Sequence, residues 1–332
     1  MEVGLVGLRV LREVAEQGTF TAAARSLGYT QSAVSRQVAA LEQAIGRPLF
    51  ERHRSGVQLT SAGHALLRHA AVALDAIDAA RAELSGDGRR FLPFRLGVTP
   101  VAAASLLPGT LARVQRRAPH ASVSTRDGTT GSLLRALRAG TLDAALLTSR
   151  PPHRAPDGDS PPLRVEPLLD THLCLALSST GRFAGRSEVD VGELTGEAWI
   201  ASSATADDPV LGVWPGLPGR PRVVHLSRDW LVKLQLVAAG AGVTTVPATM
   251  GVVIPEGVRL ARVRGVPDEL RRVSWVCLPG PAGEAATLLL DALRDQVAQL
   301  PGAGPTGTSG AFEASVQPGH TLSREAPDLG AR

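Results

Sequence analysis

The apolar residues of this chain change period once, and that change limits what the chain can fold into. From Leu5 to Leu84 they recur at helical spacing with little proline; from Phe91 onward short apolar runs alternate with helical segments punctuated by Gly and Pro. Such a pattern predicts a helical N-terminal unit followed by an α/β unit. The junction is 85–90, SGDGRR, where two glycines and three charges in six residues cannot extend a packed helix. With 332 residues, two domains of the usual size of about 150 are expected. A hydrophobic fraction of 44% against 20% charged residues supplies real cores and excludes wholesale disorder. After Leu300 the pattern fails, because ten of the last 32 residues are Gly or Pro, so 301–332 is expected to be a disordered tail.

Within the first unit, Leu5, Leu8, Leu11 and Val14 give one helix, whose polar face carries Arg9, Arg12, Glu13 and Glu16. Thr19 is placed to cap a second helix with the apolar face Phe20, Ala23, Ala24 and Leu27, ended by Gly28. Thr30 is placed to cap a third, in which Val34, Val38, Leu41 and Ile45 form the buried side. Two helices joined by three residues make a helix-turn-helix. The opposite face of the third helix holds Gln31, Ser32, Ser35, Arg36, Ala39 and Gln43. Short polar groups with one arginine near a helix N-terminus suit a DNA major groove, where Gln pairs with adenine and Arg with guanine. Gly46 and Pro48 stop the helix, and 49–60 reads as a hairpin that sets Arg52 and Arg54 beside a phosphate backbone. Five arginines against two glutamates between Thr19 and Thr60 make this region basic.

Other compositional features exclude several classes. Net charge is only +4, and every basic residue but Lys233 is arginine. At 3% aromatic content, a base-stacking platform is not expected. Cys174 and Cys277 lie 103 positions apart with no CxxC, so no disulfide framework or zinc site is expected. Charges at Glu2, Arg9 and Arg12 interrupt the first apolar stretch as no signal peptide allows, and no apolar run reaches the roughly 18 residues of a membrane span. A cytoplasmic protein is expected. Gly240-Ala241-Gly242 follows a helix and lacks the third glycine of a dinucleotide fingerprint, and there is no P-loop, no G-x-S-x-G elbow and no metal-like histidine spacing. Neither an enzyme nor a cofactor or metal is expected.

The run from Phe20 to Leu67 resembles the DNA-binding domain of LysR-type transcriptional regulators. The resemblance is carried by Ala23-Ala24, Gln31-Ser32, Ser35-Arg36, Leu41-Glu42, Gly46, Leu49-Phe50, Arg52 and Leu59-Thr60. It implies that Gln31, Ser32, Ser35 and Arg36 contact DNA, with Arg52 and Arg54 on a wing. The helix 61–84 places Leu67, Leu74 and Arg81 at one heptad position and Ala70, Ile77 and Leu84 at the other, a seam for a partner helix. The family likewise implies dimerisation there, hence a homodimer on a dyad-symmetric site, with a homotetramer as the larger alternative.

The remainder reads β-α-β-α-β from Phe94 to Thr148. Further strands are expected at 173–177, 198–201, 222–226, 243–246 and 273–278, with helices at 229–239 and 283–299. Looser matches at 97–119, 137–148 and 236–247 resemble the family's effector-binding domain, a two-lobed α/β fold like that of periplasmic binding proteins. The expected organisation is therefore α/β with a winged helix-turn-helix at 1–60, a linker helix at 61–84, a hinge at 85–90 and an effector domain at 91–300. Lobe I takes about 91–168 and 275–300, and lobe II about 169–274. Thr99, Pro100 and Val101 open one helix and Thr129 and Thr130 another, so two helix N-termini with hydroxyl side chains should favour a small anionic effector. The resemblance adds Thr148 near the hinge and Ser202 and Thr245 on the second wall. The competing reading is a solute-binding or enzymatic α/β protein with an incidental helical domain.

Overall fold

The computed structural model describes residues 3–53, 56–84, 94–153, 156, 158, 162–202, 212–300 and 303–304. It opens with α1 (Leu5–Gln17), α2 (Phe20–Leu27) and α3 (Gln31–Ile45). The hydroxyl of Thr19 accepts the Ala22 N–H at 3.1 Å and that of Thr30 accepts the Ala33 N–H at 3.2 Å, as N-caps do. Gly28 ends α2 at φ 68°, a conformation that costs a glycine nothing. Leu8, Leu11, Val14, Ala23, Ala24, Val34, Val38 and Leu41 enclose a single core. Leu5 and Ile45, assigned to that core by spacing, are exposed because they occupy the first and last turns of their helices.

A two-stranded wing follows, β1 (Phe50–His53) paired antiparallel with β2 (Gly56–Leu59), and then α4 (Ser61–Leu84). Gly56, at φ 137°, lies against the Gly18 carbonyl, which a Cβ would approach to 2.3 Å. The heptad reading of α4 requires correction. Leu67, Ala70 and Leu74 are buried in the chain's own N-terminal core, against α1, and so are not free to meet a partner helix. The helix found apolar surface to cover within its own domain, which heptad spacing alone cannot reveal.

Lobe I is built on β3 (Phe94–Val98), α5 (Pro100–Arg117), β4 (Val123–Asp127), α6 (Thr130–Arg138) and β5 (Ala144–Ser149), with β3 pairing parallel to both β4 and β5. The 15-residue β6 (Arg164–Ser178) then crosses between lobes. Lobe II contains β7 (Glu188–Asp190), β8 (Ala198–Ala201), β9 (Arg222–Leu226), α7 (Trp230–Ala238), β10 (Thr244–Pro247) and β11 (Val258–Arg264). The chain returns through β12 (Leu270–Cys277) and α8 (Glu284–Val297), which packs on α5. Residues of β6 up to His172 pair with β12, whereas Leu173 onward pairs with β10 and β11. The lobes therefore exchange at 172–173 and again between Arg264 and Leu270, displaced from the expected 168–169 and 274–275. The polar run Asp170-Thr171-His172 interrupts the apolar residues of β6 at the crossing, while the strand itself continues unbroken. Beside it, Arg272 grips Asp170 with two bonds of 2.7 Å. Two residues of the expected tail, Ala303 and Gly304, form β13 and pair with Thr171 and Asp170; 305–332 lies outside the described residues.

The two units of the chain touch directly. Ala139, at the end of α6, joins the N-terminal core; Arg135 Nε donates to the Glu16 carbonyl at 3.0 Å, and Arg126 pairs with the Glu16 carboxylate. Along α4, Asp78 pairs with Arg9 at 3.2 Å, while Asp75 meets Arg12 and Arg95, the latter also bound to Asp143 at 2.7 Å.

Candidate DNA interface and effector cleft

On α3 the apolar side is committed to the core, which leaves Gln31, Ser32 and Arg36 exposed and Ser35 half-buried on the outward face. Thr30 and Ser32 share a hydroxyl contact of 3.1 Å at the helix start. The wing is held to this helix by Glu42, whose Oε1 accepts the backbone N–H of Leu49 at 2.7 Å and of Phe50 at 3.3 Å. That role escaped the sequence reading, although Glu42 follows the buried Leu41 just where a carboxylate can reach the chain after the helix. Arg52 is exposed on β1 with its guanidinium 5.3 Å from the Phe20 ring centroid, so the cation is braced by the ring beneath it. Arg54 lies outside the described residues. The arrangement sets exposed polar groups on one helix face and an exposed arginine on the strand that Glu42 ties to that helix.

In lobe I, Thr99 is the N-cap residue of α5 and Pro100 occupies its first turn. The Thr99 hydroxyl does not cap the helix. It meets the Thr148 hydroxyl at 3.0 Å and lies 3.4 Å from the Leu146 carbonyl, so the first-turn N–H groups of α5 receive no side-chain cap. Thr129 does cap its helix, accepting from Ser132 N at 3.3 Å, and Thr130 follows it half-buried at the start of α6. Gly128 N donates to the Val98 carbonyl at 3.1 Å, which sets the two helix starts side by side. In lobe II, Ser202 donates to the Ser227 carbonyl at 3.2 Å, and Thr245 is buried on β10 opposite Leu175. Val101 packs into a cluster built mainly from lobe II, with Ile200, Leu234, Val246 and Met250, and so marks where the lobes meet.

The two thiols are not placed to pair with each other. Cys174 is buried on β6, and burial pushes its pKa up to about 11. Cys277 pairs in register with Arg164, ten positions earlier on the same strand. At about 3.3 Å per residue the thiols stand some 30 Å apart, far beyond the roughly 4.4–6.8 Å between Cα atoms that a disulfide spans. A second residue missed from sequence is Lys233, fully buried on α7 with no hydrogen-bond partner for Nζ among the described residues. Burial alone lowers its pKa to about 8. Its signal was available, since it is the only lysine of the chain and sits among Trp230, Leu234 and Val237 at helical spacing.

A winged helix-turn-helix, a long connecting helix and a two-lobed α/β domain together define a class of DNA-binding protein with an appended small-molecule module. The chain belongs to the LysR family of bacterial transcriptional regulators. Its residues 5–64 match the lysR-family bacterial regulatory helix-turn-helix model, and residues 88–298 match the LysR substrate binding domain. A probable hydrogen peroxide-inducible genes activator of Mycobacterium xenopi is 37% identical over 186 residues, 56% of this chain and 95% of that protein. The HTH-type transcriptional regulator TdfR of Cupriavidus pinatubonensis is 31% identical over 271 residues, covering 79% and 88%. A full-length OxyR variant from Pseudomonas aeruginosa shares the fold at a TM-score of 0.57 and 22% identity, over 88% of this chain and 98% of that one. The chain is thus a DNA-binding transcriptional regulator with an effector-binding domain, and the alternative of a solute-binding or enzymatic protein with an incidental helical domain falls. No helix among the described residues is long and apolar enough to cross a membrane.

Proposed function

We propose that this regulator acts in the cytoplasm as a homodimer on a dyad-symmetric site and responds to a small anionic metabolite held between its lobes. Gln31, Ser32, Ser35 and Arg36 read the DNA from α3, and Arg52 and Arg54 steady it from the wing. The partner subunit meets the exposed side of α4, where Val72, Ala73, Ala76 and Ala80 leave an apolar line. The anion reading is carried by one observation: the Thr99 hydroxyl turns to Thr148 and leaves the start of α5 without a side-chain cap. Backbone N–H groups at a helix start, with hydroxyls beside them, favour a carboxylate or similar anion. Thr129, Thr130, Ser202 and Thr245 complete the walls in this reading.

The peroxide response named for the M. xenopi relative finds no matching chemistry in a disulfide between Cys174 and Cys277, given their separation. Calorimetric titration against a panel of small acids and their neutral amides tests the anion reading. Saturable binding of an acid, lost in Thr99→Val while operator affinity is kept, supports it; tighter binding of the amides overturns it.

A further inference from the structure

An ammonium group is among the most costly groups to remove from water, and buried ones are ordinarily paired. Lys233 departs from that rule. Its side chain is fully buried, its Nζ has no hydrogen-bond partner among the described residues, and its one described interaction is with the Trp230 ring, 4.6 Å from the centroid. The rest of its helix face, Leu234 and Val237 with Trp230 above them, packs as apolar core, and a leucine at 233 would suit the same surroundings. The cation is therefore retained at a cost to stability, which the cation–π contact offsets only in part.

Its position says what the missing partner is. Trp230 packs at the edge of the cluster that also takes in Val101 and Ala104 from the first turns of α5, so the Lys233–Trp230 pair belongs to the cluster that joins the two lobes. The turn before α7 is tied to the end of β8 by Ser202 and Ser227, on the side where the notional second wall of the cleft lies. We infer that Lys233 is the anion-recognition residue of lobe II, sharing with the start of α5 the carboxylate of a small monocarboxylic acid whose apolar body lies against Trp230. The inference rests on the reading of the cleft as an effector site and adds to it the residue and the ligand class. One unpaired cation calls for one carboxylate, and the surrounding Ile200, Leu234 and Trp230 call for an apolar remainder. Salt formation would also relieve the desolvation that lowers the lysine's pKa, so ligand and proton uptake are linked.

Because the chain contains one lysine, labelling lysine with carbon-13 gives one ε-methylene signal that reports this site alone. The full-length protein is titrated with phenylacetate and butyrate, with phenylacetamide and butyramide as neutral counterparts, and heat is measured in parallel. The expected result is a saturable shift of the lysine signal and a raised lysine pKa with the acids, and neither with the amides. Lys233→Met should weaken phenylacetate binding by on the order of thirtyfold or more while its melting temperature stays level or rises. A signal unmoved by both acids overturns the assignment, as does an equal shift with the amides or unchanged affinity in Lys233→Met. Heat of binding that Thr99→Val abolishes, without movement of the lysine signal, would remove Lys233 and keep the cleft; acid binding that Thr99→Val leaves untouched would remove the cleft reading as well.

Discussion

Single side chains in this molecule are placed by what their neighbours leave unsatisfied. Glu42 is the clearest case, since one carboxylate oxygen accepts two backbone N–H groups at the root of the wing. Glu42→Ala should destabilise the N-terminal unit by on the order of 2 kcal/mol, read by chemical denaturation, because it strands both donors. DNA affinity should fall with it as the wing loosens, and Glu42→Gln should recover most of both. Lys233 makes a prediction of opposite sign. Its folded-state pKa of about 8 lies below the ordinary 10.5, so between those values the unfolded chain binds more protons than the native one. Native stability relative to Lys233→Met should be at its lowest below about pH 8 and recover as pH rises through that window. Denaturation of both proteins from pH 7 to 10.5 checks this, and a pH-independent difference would contradict it.

At the scale of elements, α4 is used on two sides. Leu67, Ala70 and Leu74 close the N-terminal core, while Val72, Ala76 and Ala80 face outward. Ala76→Arg should convert the dimer to monomer in light scattering without lowering the helix content. Helix starts and stops were legible because Thr19, Thr30, Gly28 and Gly46 act locally. So were the strands of lobe I, where β and α periods alternate cleanly. What stayed hidden depends on partners distant in sequence: the burial of one α4 face, the lobe exchange inside β6, and the strands β7 and β11. In β11 Val258 and Leu260 join one core and Ala261 and Val263 another, with arginines at 259, 262 and 264 between them, so no single alternation marks the strand. The candidate site divides the same way. The α3 face could be read from one helix, whereas the Thr99–Thr148 contact joins residues 49 positions apart.

In the whole molecule the two units are joined through packed protein. Glu16 of α1 contacts Arg126 and Arg135 of lobe I, and Asp75 of α4 joins Arg12 to Arg95. Charge reversal at Asp75 should therefore weaken the coupling of effector to DNA more than it weakens either binding alone, measured as the effector-induced change in operator affinity. Removing 305–332 should leave melting temperature and operator affinity unchanged, because the segment that pairs with β6, Ala303–Gly304, is retained. In this regulator α3 is expected to read a specific operator. The most direct measurement is the affinity of the parent and Arg36→Ala for the regulator's own upstream DNA and for a scrambled duplex, at one fixed salt concentration. Arg36→Ala should lose about 1–3 kcal/mol on the operator and little on the scrambled duplex; equal affinity of the two proteins for the operator would show that α3 does not read it.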